Sequence, residues 1–162
     1  MYLIAKYGIF NYYNTIGGIL DKLTPEQRSK NMKAVKNSGS KIEVMLQKEL
    51  WRRGLRYRKN AKQVYGKPDI AFIGKKIAVF CDSEFFHGYD WENKQHEIKS
   101  HRDFWIPKIE RNMQRDIEVN EKLKSEGWIV IRFWGKEITK DVKSCADIVE
   151  AAVRSENEIQ IN

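Results

Sequence analysis

The chain is poor in cysteine, has no long apolar run, and carries less acid than base. Each shortage removes a class of protein. Of its 162 residues only Cys81 and Cys145 are cysteines, and they form neither a CxxC pair nor a zinc-ligand spacing. A disulfide framework is excluded, and a reducing, cytoplasmic setting is the expectation. No apolar run approaches the roughly 20 residues of a membrane span. The first twenty residues contain Tyr2, Leu3, Ile4, Ile9 and Phe10 but no apolar stretch leading to a small-residue cleavage site, so no signal peptide is predicted. Internal repeats and low-complexity linkers are also lacking. The division predicted is an extension over 1–21 with no assigned role, one domain over 22–154, and a tail over 155–162.

What is present is apolar material for a single core and an excess of positive charge. Hydrophobic residues make up 41% and aromatic residues 12%, too much for a disordered chain. Thirty Lys and Arg against 22 Asp and Glu leave a formal charge of +8. That balance favours an anionic partner, nucleic acid being the usual one because phosphate contacts release condensed counterions. A merely soluble basic protein is the plain alternative.

Thr24-Pro25-Glu26-Gln27 carries a cap, a first-turn proline and a capping-box partner, and the predicted helix bears Arg28, Lys30, Lys33 and Lys36. Ser40 and Glu43 make a second capping box ahead of the stripe Ile42, Leu46, Leu50, and Gly54 closes that helix. Residues 55–58 are a candidate short strand. Two short apolar runs, 69–73 and 77–81, joined by Gly74-Lys75-Lys76, predict a hairpin covered on both faces. A loop rich in aromatic and polar residues follows, from Asp82 to about Arg102. A long helix is predicted from about Asp103 to Glu126-Gly127, with Pro107 tolerable only in its first turn. Ile109, Met113 and Ile117, with Val119 and Leu123, would be its apolar side. A strand over 128–134 and a helix capped by Asp141, with Val142, Cys145, Val149 and Val153 inward, complete the chain. The expected fold is α/β, a mixed sheet flanked by helices.

Asp69 would begin one hairpin strand and Asp82 end the other, so their carboxylates converge at one edge of the sheet. Mg²⁺ takes oxygen ligands of this kind, usually one or two carboxylates with waters and phosphates. Two solvated strand-end acids are the other reading. Glu43 is open between capping Ser40 and joining the acidic site. His87, just past the second strand, titrates near neutral pH and suits proton transfer, or is a loop histidine. His96 and His101 are weaker candidates. Asp116 could orient a histidine, as a carboxylate does in hydrolase triads, or pair with Asn112 or Arg115. Phe85, Phe86, Tyr89, Trp91, Phe104 and Trp105, amid Lys94, Lys99 and Arg102, combine core aromatics with candidate base-stacking groups.

Pro68-Asp69 followed by Asp82-Ser83-Glu84 resembles the PD-(D/E)xK nuclease pattern, with Glu84 where the lysine usually stands. Further matches run in order: Thr24 to Met32, Gly66 to Ile70, Ala78 to Asp82, Phe86-His87-Gly88, Phe104-Trp105, Lys108-Ile109, Asn112, Arg115-Asp116, Gly127-Trp128 and Arg132-Phe133-Trp134. Together these resemble the Vsr-type DNA mismatch endonucleases of very short patch repair, over about residues 22–153. The resemblance implies a restriction-endonuclease-like fold. It implies Mg²⁺ on Asp69 and the main-chain carbonyl of Cys81, with Glu43 contacting metal-bound water. His87 matches the catalytic histidine, Asp116 its support, and Asp82 a position held by Asp or His. Phe85, Phe86 and Trp105 match the aromatics that wedge into the duplex, and the basic N-terminal segment matches an arm that grips DNA. The family nicks double-stranded DNA 5′ of the T in a T:G mismatch, beginning repair of deaminated 5-methylcytosine. The resemblance also implies association with repair proteins and a cytosine methyltransferase in the bacterial cytosol; a monomer is expected.

One departure stands out. Glu84, Tyr89, Trp91 and Lys136 occupy positions where the family usually supplies zinc ligands, so no structural zinc is expected. The alternatives carried forward are a restriction-type enzyme that cuts both strands, a DNA-binding module without catalysis, and an RNA-processing nuclease.

Overall fold

The computed structural model describes residues 39–159. The basic segment with Arg28, Lys30, Lys33 and Lys36 lies outside the described residues. Helix α1 (Lys41–Arg52) begins with the expected capping box. The Glu43 N–H donates to Ser40 Oγ, and the Glu43 carboxylate accepts from the Ser40 and Gly39 N–H groups. Leu46 and Leu50 are fully buried, as the stripe requires.

Four strands follow in sheet order: β1 (Arg58–Lys59), β2 (Ile70–Phe72), β3 (Ile77–Asp82) and β4 (Ile129–Trp134). The β1–β2 and β2–β3 pairs are antiparallel and β3–β4 is parallel. A parallel pair needs a long crossover, here the aromatic loop with short helix α2 (Trp91–Lys94) and the long helix α3 (Arg102–Ser125). Helices α4 (Gly135–Lys140) and α5 (Val142–Ile159) close the chain. The mixed α/β sheet flanked by helices is the expected architecture, consistent with a restriction-endonuclease-like fold.

Strand alternation sorts the core. Ile70, Phe72, Ile77, Val79, Ile131 and Phe133 face α1, α4 and α5. Ala71, Ala78 and Phe80 face the other way, against Val119 and Leu123 of α3. By the same parity Asp82 and Arg132 belong to the α3 side.

Several details differ from the sequence-based expectation. The first hairpin strand stops at Phe72, because Ile73–Lys75 turn as a 3₁₀ segment and Lys76 is left-handed. The strand expected at 55–58 is only the Arg58–Lys59 edge. Pro107 is the sixth residue of α3, not in its first turn. The carbonyl it leaves without a helix bond belongs to exposed Asp103, where water can serve it. Ile117 is exposed. The inward stripe of α3 runs Ile109, Asn112, Asp116, Val119, Leu123 at steps of three and four, so polar residues occupy inward places that an apolar count misses. Helix α5 continues past residue 154 to Ile159.

Candidate active site

The hairpin brings Asp69 to the far end of β3, where its Oδ2 accepts the Cys81 N–H at 2.8 Å. Burial pushes its carboxyl up to about 6, with Glu43 and Asp82 repelling a further negative charge and the Cys81 N–H and His87 opposing the rise. Glu43 is therefore in electrostatic reach of Asp69, although both its oxygens already accept backbone N–H groups at the cap.

β3 ends in Asp82, and the turn beyond it folds back through the His87 N–H to the Ser83 carbonyl, 3.1 Å. Gly88 lies flat on α3. Gly88 takes φ +65°, which favours glycine, and a Cβ there would stand 2.3 Å from Met113 Sδ, so a side chain would strain the turn that delivers His87 and require Met113 to move. His87 Nδ1 donates to Asp116 Oδ2 at 2.7 Å and lies 3.7 Å from Asp82 Oδ1. With Nδ1 held, Nε2 is the nitrogen left for proton transfer, on a side chain still 30% exposed. Burial works against the imidazolium, but the Asp116 hydrogen bond and the charges of Asp82 and Asp116 outweigh it, and the His87 pKa is raised.

Arg132 completes the cluster and was missed from sequence. Its Nη1 donates to both oxygens of Asp82 at 2.9 Å and lies 3.1 Å from Asp116 Oδ1. Its Nε donates to Asn120, and its guanidinium sits over Phe80, 4.2 Å from the ring centre. The available signal was one charged residue in an otherwise apolar strand, 129–134, which requires a buried partner.

The aromatics gather at the start of α3. Phe85 lies 5.1 Å from Trp105 and 5.2 Å from Phe86, and Phe104 lies 4.9 Å from Trp105. Asn112 Nδ2 donates to the Phe86 carbonyl, tying this loop to α3 beside the His87 site. Phe85 and Phe104 remain exposed.

The family model for DNA mismatch endonuclease Vsr matches residues 20–93. The type II nicking enzyme V.NmeDIP of Neisseria meningitidis serogroup C is 53% identical over 135 residues, 83% of this chain and 91% of that protein. The type II nicking enzyme V.HpaIIP of Haemophilus parainfluenzae is 52% identical over 135 residues, 83% and 96% of the two chains. The DNA mismatch endonuclease Vsr of Escherichia coli strain K12 is 30% identical over 118 residues, 70% of each.

The chain belongs to the Vsr family.

It is thus a DNA endonuclease, as the residue pattern led us to expect. In the cluster described above, Asp82, His87 and Asp116 each offer a ligand atom, all within 4.8 Å, a group able to hold a metal ion. The Arg132 guanidinium already supplies positive charge there. Asp69 offers a different fit. It is a largely buried carboxylate, facing the negative charges of Glu43 and Asp82, and its Oδ2 is held by the Cys81 N–H. A hard cation suits that oxygen-rich, electronegative end of the sheet.

The residues at the four departures make contacts of their own. Glu84 accepts the Lys136 N–H, Lys136 Nζ lies 3.3 Å from the centre of the Tyr89 ring, and Tyr89 packs edge-on against Trp134 at 5.1 Å. Trp91 opens α2. Burial pushes the Cys81 thiol up, and Cys145 to about 11, so neither thiol is activated as a nucleophile. Among the described residues no helix is long and apolar enough to cross a membrane.

Proposed function

We propose that this protein is a Mg²⁺-dependent mismatch endonuclease that nicks one strand 5′ of the T in a T:G mismatch and so begins very short patch repair. The observation that carries the reading is the His87–Asp116 hydrogen bond, set beside the buried carboxylate of Asp69. Relatives named as nicking enzymes favour cutting one strand over cutting two.

Asp69 and the main-chain carbonyl of Cys81 would hold Mg²⁺, which when bound supplies charge to stabilise the phosphate and activate water. Every other part falls to the chain itself. His87 Nε2 transfers a proton to or from the reacting oxygen, and Asp116 keeps the ring in the tautomer and orientation that allow it. Glu43 orders water at the acidic end, and Asp82, with Arg132, supports Asp116. Phe85, Phe86 and Trp105 stack on bases opened at the mismatch, offsetting the unstacking cost by about 1–3 kcal/mol each. Arg28, Lys30, Lys33 and Lys36 grip the DNA backbone from the N-terminal segment. The enzyme acts as a monomer whose catalytic domain spans 22–154, without structural zinc, alongside repair proteins and a cytosine methyltransferase.

The test is a labelled duplex with one T:G mismatch beside its T:A control, in Mg²⁺, with wild type and Asp69→Ala. The expected result is a nick 5′ of the T, in the mismatched duplex alone and from wild type alone. Equal cutting of both duplexes, or double-strand breaks, would replace this reading with the restriction-type one.

A further inference from the structure

We propose that the cleft between residues 62–67 and helix α3 binds the phosphodiester backbone of the DNA next to the bond that is cut. The proposal rests on the assignment as a DNA endonuclease, not on mismatch specificity. The cleft has a volume of about 650 Å³, and Lys62, Tyr65 and Lys67 line one side with Arg115 and Glu118 on the other.

Its position follows from the chain. Lys67 lies two residues before Asp69 and Arg115 directly before Asp116, so each wall is joined through the chain to a residue of the site just described. Its charge is available. Lys62, Lys67 and Arg115 are exposed and make no ion pair among the described residues. Of the acids in the lining, Glu126 is paired with Lys122 at 3.0 Å, while Glu118 accepts only the neutral Gln114 amide at 3.2 Å and keeps its charge, so the three cations remain in excess.

The backbone is built to hold this arrangement. Gly66 sits against the floor of the cleft, and a Cβ there would meet Val119 Cγ1 at 2.4 Å. A side chain at 66, where φ is +77°, would be strained and would force the segment or Val119 to shift. The next residue, Lys67, is left-handed with φ +53°, a conformation in which glycine or asparagine is far less strained. A lysine kept in that place brings an ammonium to the mouth of the cleft. Tyr65, 51% exposed between the two lysines, adds a flat face for a sugar or base. Separated cations along an open cleft with one aromatic fit an extended polyanion rather than a compact free anion, around which donors would converge.

The experiment measures binding of a fluorescent duplex by anisotropy, without divalent metal, over a series of salt concentrations. The variant is Lys62→Ala/Lys67→Gly/Arg115→Ala, in which glycine retains the left-handed backbone. Removing one phosphate-binding cation should reduce the slope of log K against log salt by about 0.9. A charge-matched control, Lys48→Ala/Lys124→Ala/Lys143→Ala, should keep the wild-type slope. An unchanged slope in the cleft variant, or an equal reduction in the control, overturns the proposal. The single variants Lys67→Gly and Arg115→Gln, each expected to reduce the slope by the amount of one cation, decide the matter if the triple variant melts early. Wild type that binds no DNA would instead overturn the endonuclease assignment beneath it.

Discussion

A single guanidinium nitrogen of Arg132 donates to both carboxylate oxygens of Asp82 and also reaches Asp116 at 3.1 Å. Two largely buried acids on different elements, β3 and α3, thus share one cation from β4. The Arg132 side chain is 8% exposed and that of Asp82 4%, so water can do little to replace it. Taking away one partner of a buried pair strands the other charge. Arg132→Met is expected to lower stability by about 3–5 kcal/mol in urea unfolding and to reduce nicking under conditions where it is still folded. Arg132→Lys, which keeps the charge but cannot reach Asp82, Asp116 and Asn120 together, should fall between. An Arg132→Met protein as stable as wild type would show that the guanidinium does not neutralise these acids.

His87 titrates above its usual value because Asp116 and Asp82 outweigh burial. A raised folded-state pKa means that the contribution to stability is complete below the unfolded value of about 6.5 and fades as pH rises through the folded value. Asp116→Asn should therefore lower the His87 pKa, read from its imidazole NMR signals, and move the nicking-rate profile with it. His87→Ala should cut the rate by about 10²–10⁴-fold with DNA binding retained. A His87 pKa unmoved by Asp116→Asn would detach the two residues.

Glu49 on α1 answers to acid. Hydrogen bonds from Arg52 and Arg53 hold its carboxyl down to about 2, and Arg53 also bonds Glu150 and Asp147 of α5, fastening the two helices. A depressed folded-state pKa contributes stability above the unfolded value of about 4.5 that is lost as pH falls toward 2. Denaturant midpoints between about pH 2 and 5 should decline for wild type and decline less for Glu49→Gln. Parallel curves for the two proteins would assign the acid sensitivity to other groups.

Metal analysis separates the two metals. With Glu84, Tyr89 and Lys136 engaged with one another and with Trp134, the purified protein is expected to contain no zinc, and a chelator should leave its Tm unchanged. The same treatment should abolish nicking until Mg²⁺ is restored. Stoichiometric zinc, or a chelator-dependent fall in Tm, would contradict the first half.

Local rules made much of this molecule legible before any coordinates. The Ser40–Glu43 box, the pairing of the two buried hairpin strands, the Asp141 cap and the Cys145–Val149–Val153 stripe depend on residues close in the chain and appear as foreseen, with the first hairpin strand shorter than expected. Asp69 and Asp82 could be placed at one edge because hairpin geometry alone pairs the start of one strand with the end of the next. By itself, then, the sequence determined helices α1, α3 and α5, the hairpin, the basic character, the family and the set of candidate acids, histidine and aromatics, but not the short helices α2 and α4. What depended on distant segments was hidden. The inward turn of Asn112 and Asp116, the exposure of Ile117, the mutual contacts of Glu84, Tyr89 and Lys136, and the Arg132 bridge exist only once β4 lies parallel to β3 with α3 across it. Tertiary structure alone decided these, because a buried polar side chain goes where its partner is, and partners about 50 residues apart leave no periodic trace in the chain.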